Sequence, residues 1–188
     1  MQKALRRVAR RAKAAGYFLL GELALLVFKG LRLTDPAWAA DKSGKLLRFL
    51  GPWVPEHRTG RANLQAAFPD WPAEKIEQTL GGVWENLGRV GAEFIHLDRL
   101  WHVIDATTGE MDGIEFTPET IERFVKLRDD GKPALIFASH LGNWELPALA
   151  AADFGLHSLA LYRPPTIPQL RKRILETRSS RMGLLVPT

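Results

Sequence analysis

Apolar and polar positions fall into three regimes along this chain. The first is Ala14–Phe28, an apolar stretch whose only charged residue is Glu22, preceded by Lys3, Arg6, Arg7, Arg10, Arg11 and Lys13. It is shorter than the roughly 20 residues a spanning helix needs. It also runs into Lys29-Gly30-Leu31-Arg32 without a small-residue cleavage site, which argues against a secretory signal. It therefore reads as a basic segment lying in the interface of an anionic leaflet, with a soluble core helix as the alternative.

The second regime is helical. Thr34-Asp35-Pro36 starts a helix to about Leu50, which Gly51-Pro52 and Pro55 break. His57–Ala67 reads as a short helix ended by Phe68-Pro69-Asp70. From Pro72 to about Trp101 the apolar residues Ile76, Leu80, Val83, Trp84, Leu87, Val90 and Phe94 keep three-to-four spacing, which predicts a long helix with that face inward. Gly81, Gly82, Gly88 and Gly91 weaken its propensity and permit another element to pack closely.

The third regime alternates. A helix over 117–128 is followed by a strand over 134–139, a helix over 144–154, a strand over 158–163, a helix over 168–182 and a strand over 184–186. Strands alternating with helices predict a parallel α/β sheet. The expected plan is α/β: a membrane-associating segment (1–33), a helical region (34–116) and the first part of an α/β sheet domain (117–188).

Composition narrows the function classes. With 188 residues, 46% hydrophobic and 25% charged, the chain is long and apolar enough for a real core. The absence of cysteine excludes disulfides, thiol nucleophiles and cysteine-based metal sites. A net charge of +5 favours anionic partners such as phospholipid surfaces, phosphorylated glycolipids or acidic proteins. Nucleic acid fits the charge, but no recognition motif or basic–aromatic platform is present. His57, His96, His102 and His157 form no pair at metal-ligand spacing, so no metal is expected, and without a GxGxxG or Walker motif no nucleotide cofactor is expected.

The chemistry concentrates in Ala134–Glu145, ALIFASHLGNWE. The strand places His140 at its carboxyl end, where open α/β sheets build their sites. Asn143 is read as the cap of a helix that carries Glu145 in its first turn. Positions five apart on a continuous helix do not meet, so the Leu141–Gly142 bend must turn Glu145 back toward the imidazole. His140 can act as general base while Glu145 fixes its tautomer. Ser139 is no hydrolase nucleophile: neighbours on a strand face opposite ways, and there is no G-x-S-x-G elbow. Arg163 follows the next strand, and Arg178 and Arg181 share one helix face. Such arginines grip phosphate or carboxylate.

These residues carry a resemblance. HLGNWE resembles the H-x4-D/E motif of glycerolipid acyltransferases, and more closely the bacterial lipid A late acyltransferases (lauroyl/myristoyl transferases). His57–Pro69 (HRTGRANLQAAFP) and Trp84–Glu93 (WENLGRVGAE) resemble the segments before the motif. Tyr162-Arg163-Pro164 and Arg178-x-x-Arg181-x-Gly183 resemble the segment after it, so the likeness covers most of residues 16–188. It implies a cofactor-free O-acyltransferase at the cytoplasmic face of the bacterial inner membrane. Such an enzyme moves a fatty acyl chain from acyl carrier protein to a hydroxyl of a lipid A precursor, with no protein nucleophile. It places Arg178 in the active site and Arg163 in the same pocket region. It also implies more strands after Thr188, so the chain reads as C-terminally truncated. The alternatives are an acyltransferase for another glycolipid or phospholipid, and a non-catalytic membrane-binding protein.

Overall fold

A computed structural model describes residues 2–105, 110–112, 114, 116–179 and 182–187. The chain divides into two compact units. A helical unit comprises Leu31–Leu100 with His140–Asn143, and an α/β unit comprises Met1–Gly30, Trp101–Ser139 and Trp144–Thr188.

The helical unit is built on α2 (Pro36–Leu50) and α4 (Ala73–Ile95). Asp35 caps α2, its carboxylate accepting the Trp38 amide at 2.8 Å, with Pro36 in the first turn. The two helices meet through small residues. Ala39, Ala40 and Gly44 of α2 are buried, as are Gly88 and Ala92 of α4. A side chain at Gly88 would collide with the Ser43 carbonyl, so the backbones approach as closely as they do only because it is glycine. A Cβ added at Gly82 or Gly91 would meet nothing within 4 Å, and one at Gly81 only the Arg48 side chain at 3.4 Å, so of these four glycines the close backbone approach requires only Gly88. α3 (Pro55–Ala67) opens on a proline and packs beneath α4, where Leu80 lies against Gly60.

The expected inward face of α4 is only half inward. Ile76, Leu80 and Val90 are buried, but Val83 and Leu87 are exposed. The small-residue seam that takes α2 lies on a different side of the helix from the large apolar residues, so among the described residues Val83 and Leu87 are left exposed. α4 also ends earlier than its pattern predicts, at Ile95, and α5 (Leu97–Leu100) follows after His96. Buried His96 donates from Nε2 to the Leu31 carbonyl at 3.0 Å, and Arg32 forks onto Asp98, so the two ends of the unit's chain are tied together.

The α/β unit begins with α1 (Gln2–Arg32, through Gly30). Tyr17, Gly21, Ala24, Leu25 and Phe28 form its partly covered side, while Leu19, Leu20, Leu23, Leu26 and Val27 face outward. The Gln169 side chain crosses α1, donating to the Phe18 carbonyl at 3.3 Å and to Glu22 at 3.2 Å. An antiparallel hairpin follows Trp101: β1 (His102–Asp105) pairs with β2 (Glu110–Asp112). No strand was expected there. α6 (Pro118–Asp129) is capped by Thr117 as its Thr-Pro start predicts. Trp101, Phe116, Phe124 and Phe154 form an aromatic cluster, with Phe124 stacked on Phe154 at 5.2 Å. The small, apolar α7 (Leu146–Asp153) buries Leu149, Ala150 and Ala151.

β3 (Leu159–Tyr162), α8 (Pro168–Ser179) and β4 (Leu184–Pro187) form one parallel crossover, with Leu159 opposite Leu184 and Tyr162 opposite Pro187. Gly183 enters β4 with φ +75°, and a Cβ there would lie 2.5 Å from the Ser158 carbonyl. The chain is thus mostly helical, with a helical N-terminal half leading into a partial α/β domain.

The strand expected over 134–139 does not form. Residues 131–139 have no regular structure and are exposed, Leu135 by 87% and Phe137 by 91%. A strand exists only through its ladder. β3 takes β4 as its partner, and the described residues offer none to this run.

Candidate active site

His140 lies in a bend, exposed, rather than at a strand end. The bend is real: Gly142 has φ +56°, a left-handed conformation that glycine adopts without steric cost. Asn143 is not a helix cap. Its side-chain amide donates to the Glu93 carboxylate at 2.9 Å, which fixes the end of the His140–Asn143 segment to α4. Glu93 closes the WENLGRVGAE block, so that block has a physical role beyond helix packing: it supplies the anchor of the histidine loop.

Glu145 occupies the N-cap position of α7, which starts two residues later than expected, at Leu146. Its backbone there is already helical, and its side chain does not cap. Instead the carboxylate turns to Arg178. Arg178 Nε donates to Oε2 at 2.9 Å and its Nη2 donates to Oε1 at 2.5 Å, a two-pronged grip that the planar guanidinium matches. Glu145 is only 5% exposed. Both residues belong to the α/β unit, whereas His140 belongs to the helical unit.

The arginines therefore divide. Arg178 was expected to bind substrate but is engaged with the protein's own carboxylate. Arg163 stands exposed just beyond the carboxyl end of β3, as its strand predicts. Arg181 lies outside the described residues. The Glu145–Arg178 pair was not readable from spacing, because the partners are 33 positions apart and only the β3–α8 crossover brings them together.

A cavity of about 310 Å³ lined by Ala152, Gly155, Leu156, His157, Ser158, Gly183 and Leu184 sits at the other, amino end of β3 and β4, away from Arg163. Among the described residues no group of three His, Asp or Glu could hold a metal ion.

The family model of bacterial lipid A biosynthesis acyltransferases matches residues 7–188. The chain belongs to that family. No curated protein and no solved structure matches it. Family membership makes the chain an acyltransferase of lipid A biosynthesis, and such an enzyme needs an acyl donor and a lipid acceptor. The matched span includes the His140 bend, Glu93, Glu145 and both described arginines.

Proposed function

We propose that this lipid A acyltransferase transfers a fatty acyl chain from acyl carrier protein to a hydroxyl of a lipid A precursor, with His140 as general base. The imidazole takes the hydroxyl proton as the oxygen attacks the thioester carbonyl carbon. The C–S bond breaks, and the imidazolium returns the proton to the leaving thiolate. Glu145 orients and stabilises the imidazolium, as the acid of a triad does.

The observation that carries this reading is the buried Glu145–Arg178 fork, five residues after His140. A carboxylate that serves an imidazolium must be held still, and Arg178 does this by facing it with two donors. Arg178 is then a positioning residue. Arg163, together with Arg181, is proposed to meet the phosphate of the acceptor.

α1 is proposed to hold the enzyme at the inner membrane's cytoplasmic face. Its Arg10–Arg32 portion is 23 residues, long and apolar enough to cross a membrane, contrary to the expectation from the shorter apolar stretch. Interfacial placement is still favoured. Gln169 binds Glu22 midway along α1, and Arg173 stands over the Phe28 ring, so a spanning α1 would carry polar groups of α8 into hydrocarbon.

The test is acyl transfer from acyl carrier protein to a lipid A precursor by the full chain and by His140→Ala. The rate is expected to fall by about 10²–10⁴. A full rate in His140→Ala refutes the mechanism, and a wild-type chain that acylates only another glycolipid refutes the acceptor.

A further inference from the structure

The outward face of α2 has no role in holding the helical unit together. At 100° per residue, Trp38, Lys42, Lys45, Leu46 and Phe49 fall within an arc of about 100°, centred opposite the buried Ala39, Ala40 and Gly44. Trp53, in the 3₁₀ turn just after the helix, continues the same stripe. Phe49 and Trp53 are 63% and 69% exposed and meet edge to face at 4.7 Å. The arc carries no acidic residue. Asp41 and Arg48 lie off it, toward α4, where Arg48 pairs with Glu85 and Asp41 with Arg89; Asp41 also accepts from Lys45 at 2.9 Å and lies 3.8 Å from Lys42.

We propose that this face of α2 docks onto the headgroup–acyl boundary of an anionic bilayer, as a second membrane contact separate from α1. Three properties select a bilayer. Indole rings favour the interfacial layer because one edge is apolar and the N–H needs a polar partner, and here they bracket Leu46 and Phe49. The lysines between them both pair with Asp41 at the surface, with side chains 54% and 63% exposed, so they can exchange that weak partner, lay their stems along the apolar surface and reach anionic headgroups. The chain itself supplies proximity: α2 begins at Pro36, four residues after α1 ends at Arg32, a reach of at most about 14 Å. This last point rests on the reading that α1 lies at the membrane. A symmetric second copy fits poorly, because it would bring Lys42 and Lys45 of one chain against those of the other.

The chain has no cysteine, so single-cysteine labelling reports one position at a time. An environment-sensitive dye is placed at Leu46→Cys on the proposed face, at Leu23→Cys on α1 and at Arg58→Cys on α3. Each full-length variant is mixed with vesicles of phosphatidylcholine with or without phosphatidylglycerol. A blue shift at position 46 but not 58, requiring phosphatidylglycerol, supports the proposal. A shift at 23 alone overturns the α2 contact and leaves the α1 reading standing. A shift at 46 alone supports the α2 contact and overturns the α1 reading. A shift at 46 that grows with protein concentration without vesicles, or that follows added acyl carrier protein, overturns the bilayer as occupant. Lys42→Gln/Lys45→Gln, both at exposed positions, is expected to weaken vesicle binding about 30-fold, with unchanged circular dichroism. Unchanged binding overturns the role of the lysines and with it the proposal.

Discussion

Replacing Arg178 by alanine tests the site at its most constrained point. The Glu145 carboxylate is 5% exposed, and both its oxygens accept from one guanidinium, at 2.9 and 2.5 Å. Arg178 is itself mostly covered, with 21% of its side chain exposed. Removing it leaves a buried anion without its partner, which costs about 3–5 kcal/mol. For a chain of 188 residues each kcal/mol is worth about 2–4 °C, so melting falls by about 6–20 °C. Arg178→Lys keeps the charge but loses the fork, and is expected to lie between the two. Removing both charges in Glu145→Leu/Arg178→Met removes the unpaired anion as well and is expected to recover most of the loss. The assay is urea denaturation followed by circular dichroism, set out as a double-mutant cycle with an expected coupling of about 2 kcal/mol or more. A loss under about 1 kcal/mol in Arg178→Ala, or strict additivity in the cycle, refutes the positioning role. An unchanged melt with a raised KM for acceptor returns Arg178 to substrate binding.

Other outcomes follow from the same geometry. Burial holds the His96 imidazole below its usual pKa, against the opposing Leu31 carbonyl, so the unfolded chain takes up a proton before the folded chain does. Stability is therefore full above the unfolded value of about 6.5 and falls as pH drops from there toward the lowered folded value, a slope that His96→Leu should remove in urea titrations at successive pH values. Asn143→Ala deletes the bond to Glu93 that holds the histidine loop. It should speed amide exchange over 140–143 and lower kcat about 10-fold with little change in melting, and an unaltered loop and kcat would refute the anchoring role. Gly88→Ala drives a methyl into the Ser43 carbonyl and should cost about 1–3 kcal/mol, whereas Gly91→Ala, with open space around it, should be neutral or slightly stabilising.

Elements marked by local chemistry were legible in the sequence. Asp35-Pro36 and Thr117-Pro118 start α2 and α6, Phe68-Pro69 ends α3, and the alternation of apolar runs with α8 gave the β3–β4 pair. What depended on distant partners was not. The 134–139 run has the composition of a buried strand, but composition does not supply a ladder. Val83 and Leu87 share the spacing of core residues, yet the helix that packs on α4 chose the glycine side. At the site, His140 and Glu145 were legible as a motif, whereas the two contacts that position its parts, Asn143–Glu93 and Glu145–Arg178, span 50 and 33 positions. Spacing in sequence carries no information at such separations.

The uncovered run from Leu135 to Phe137 has a consequence for how the protein behaves in solution. Three large exposed apolar residues with no ladder partner among the described residues are a template onto which the same segment of another copy can add. Lys132 and Pro133 stand before it, with Ala134 between: a charge that two stacked copies would have to bring together, and a ring with no amide to donate. They act as gatekeepers, confining any cross-β growth to the few residues between Pro133 and His140. Colloidal stability of the chain therefore hangs on two residues that belong neither to the α2–α4 seam nor to the acyl-transfer chemistry.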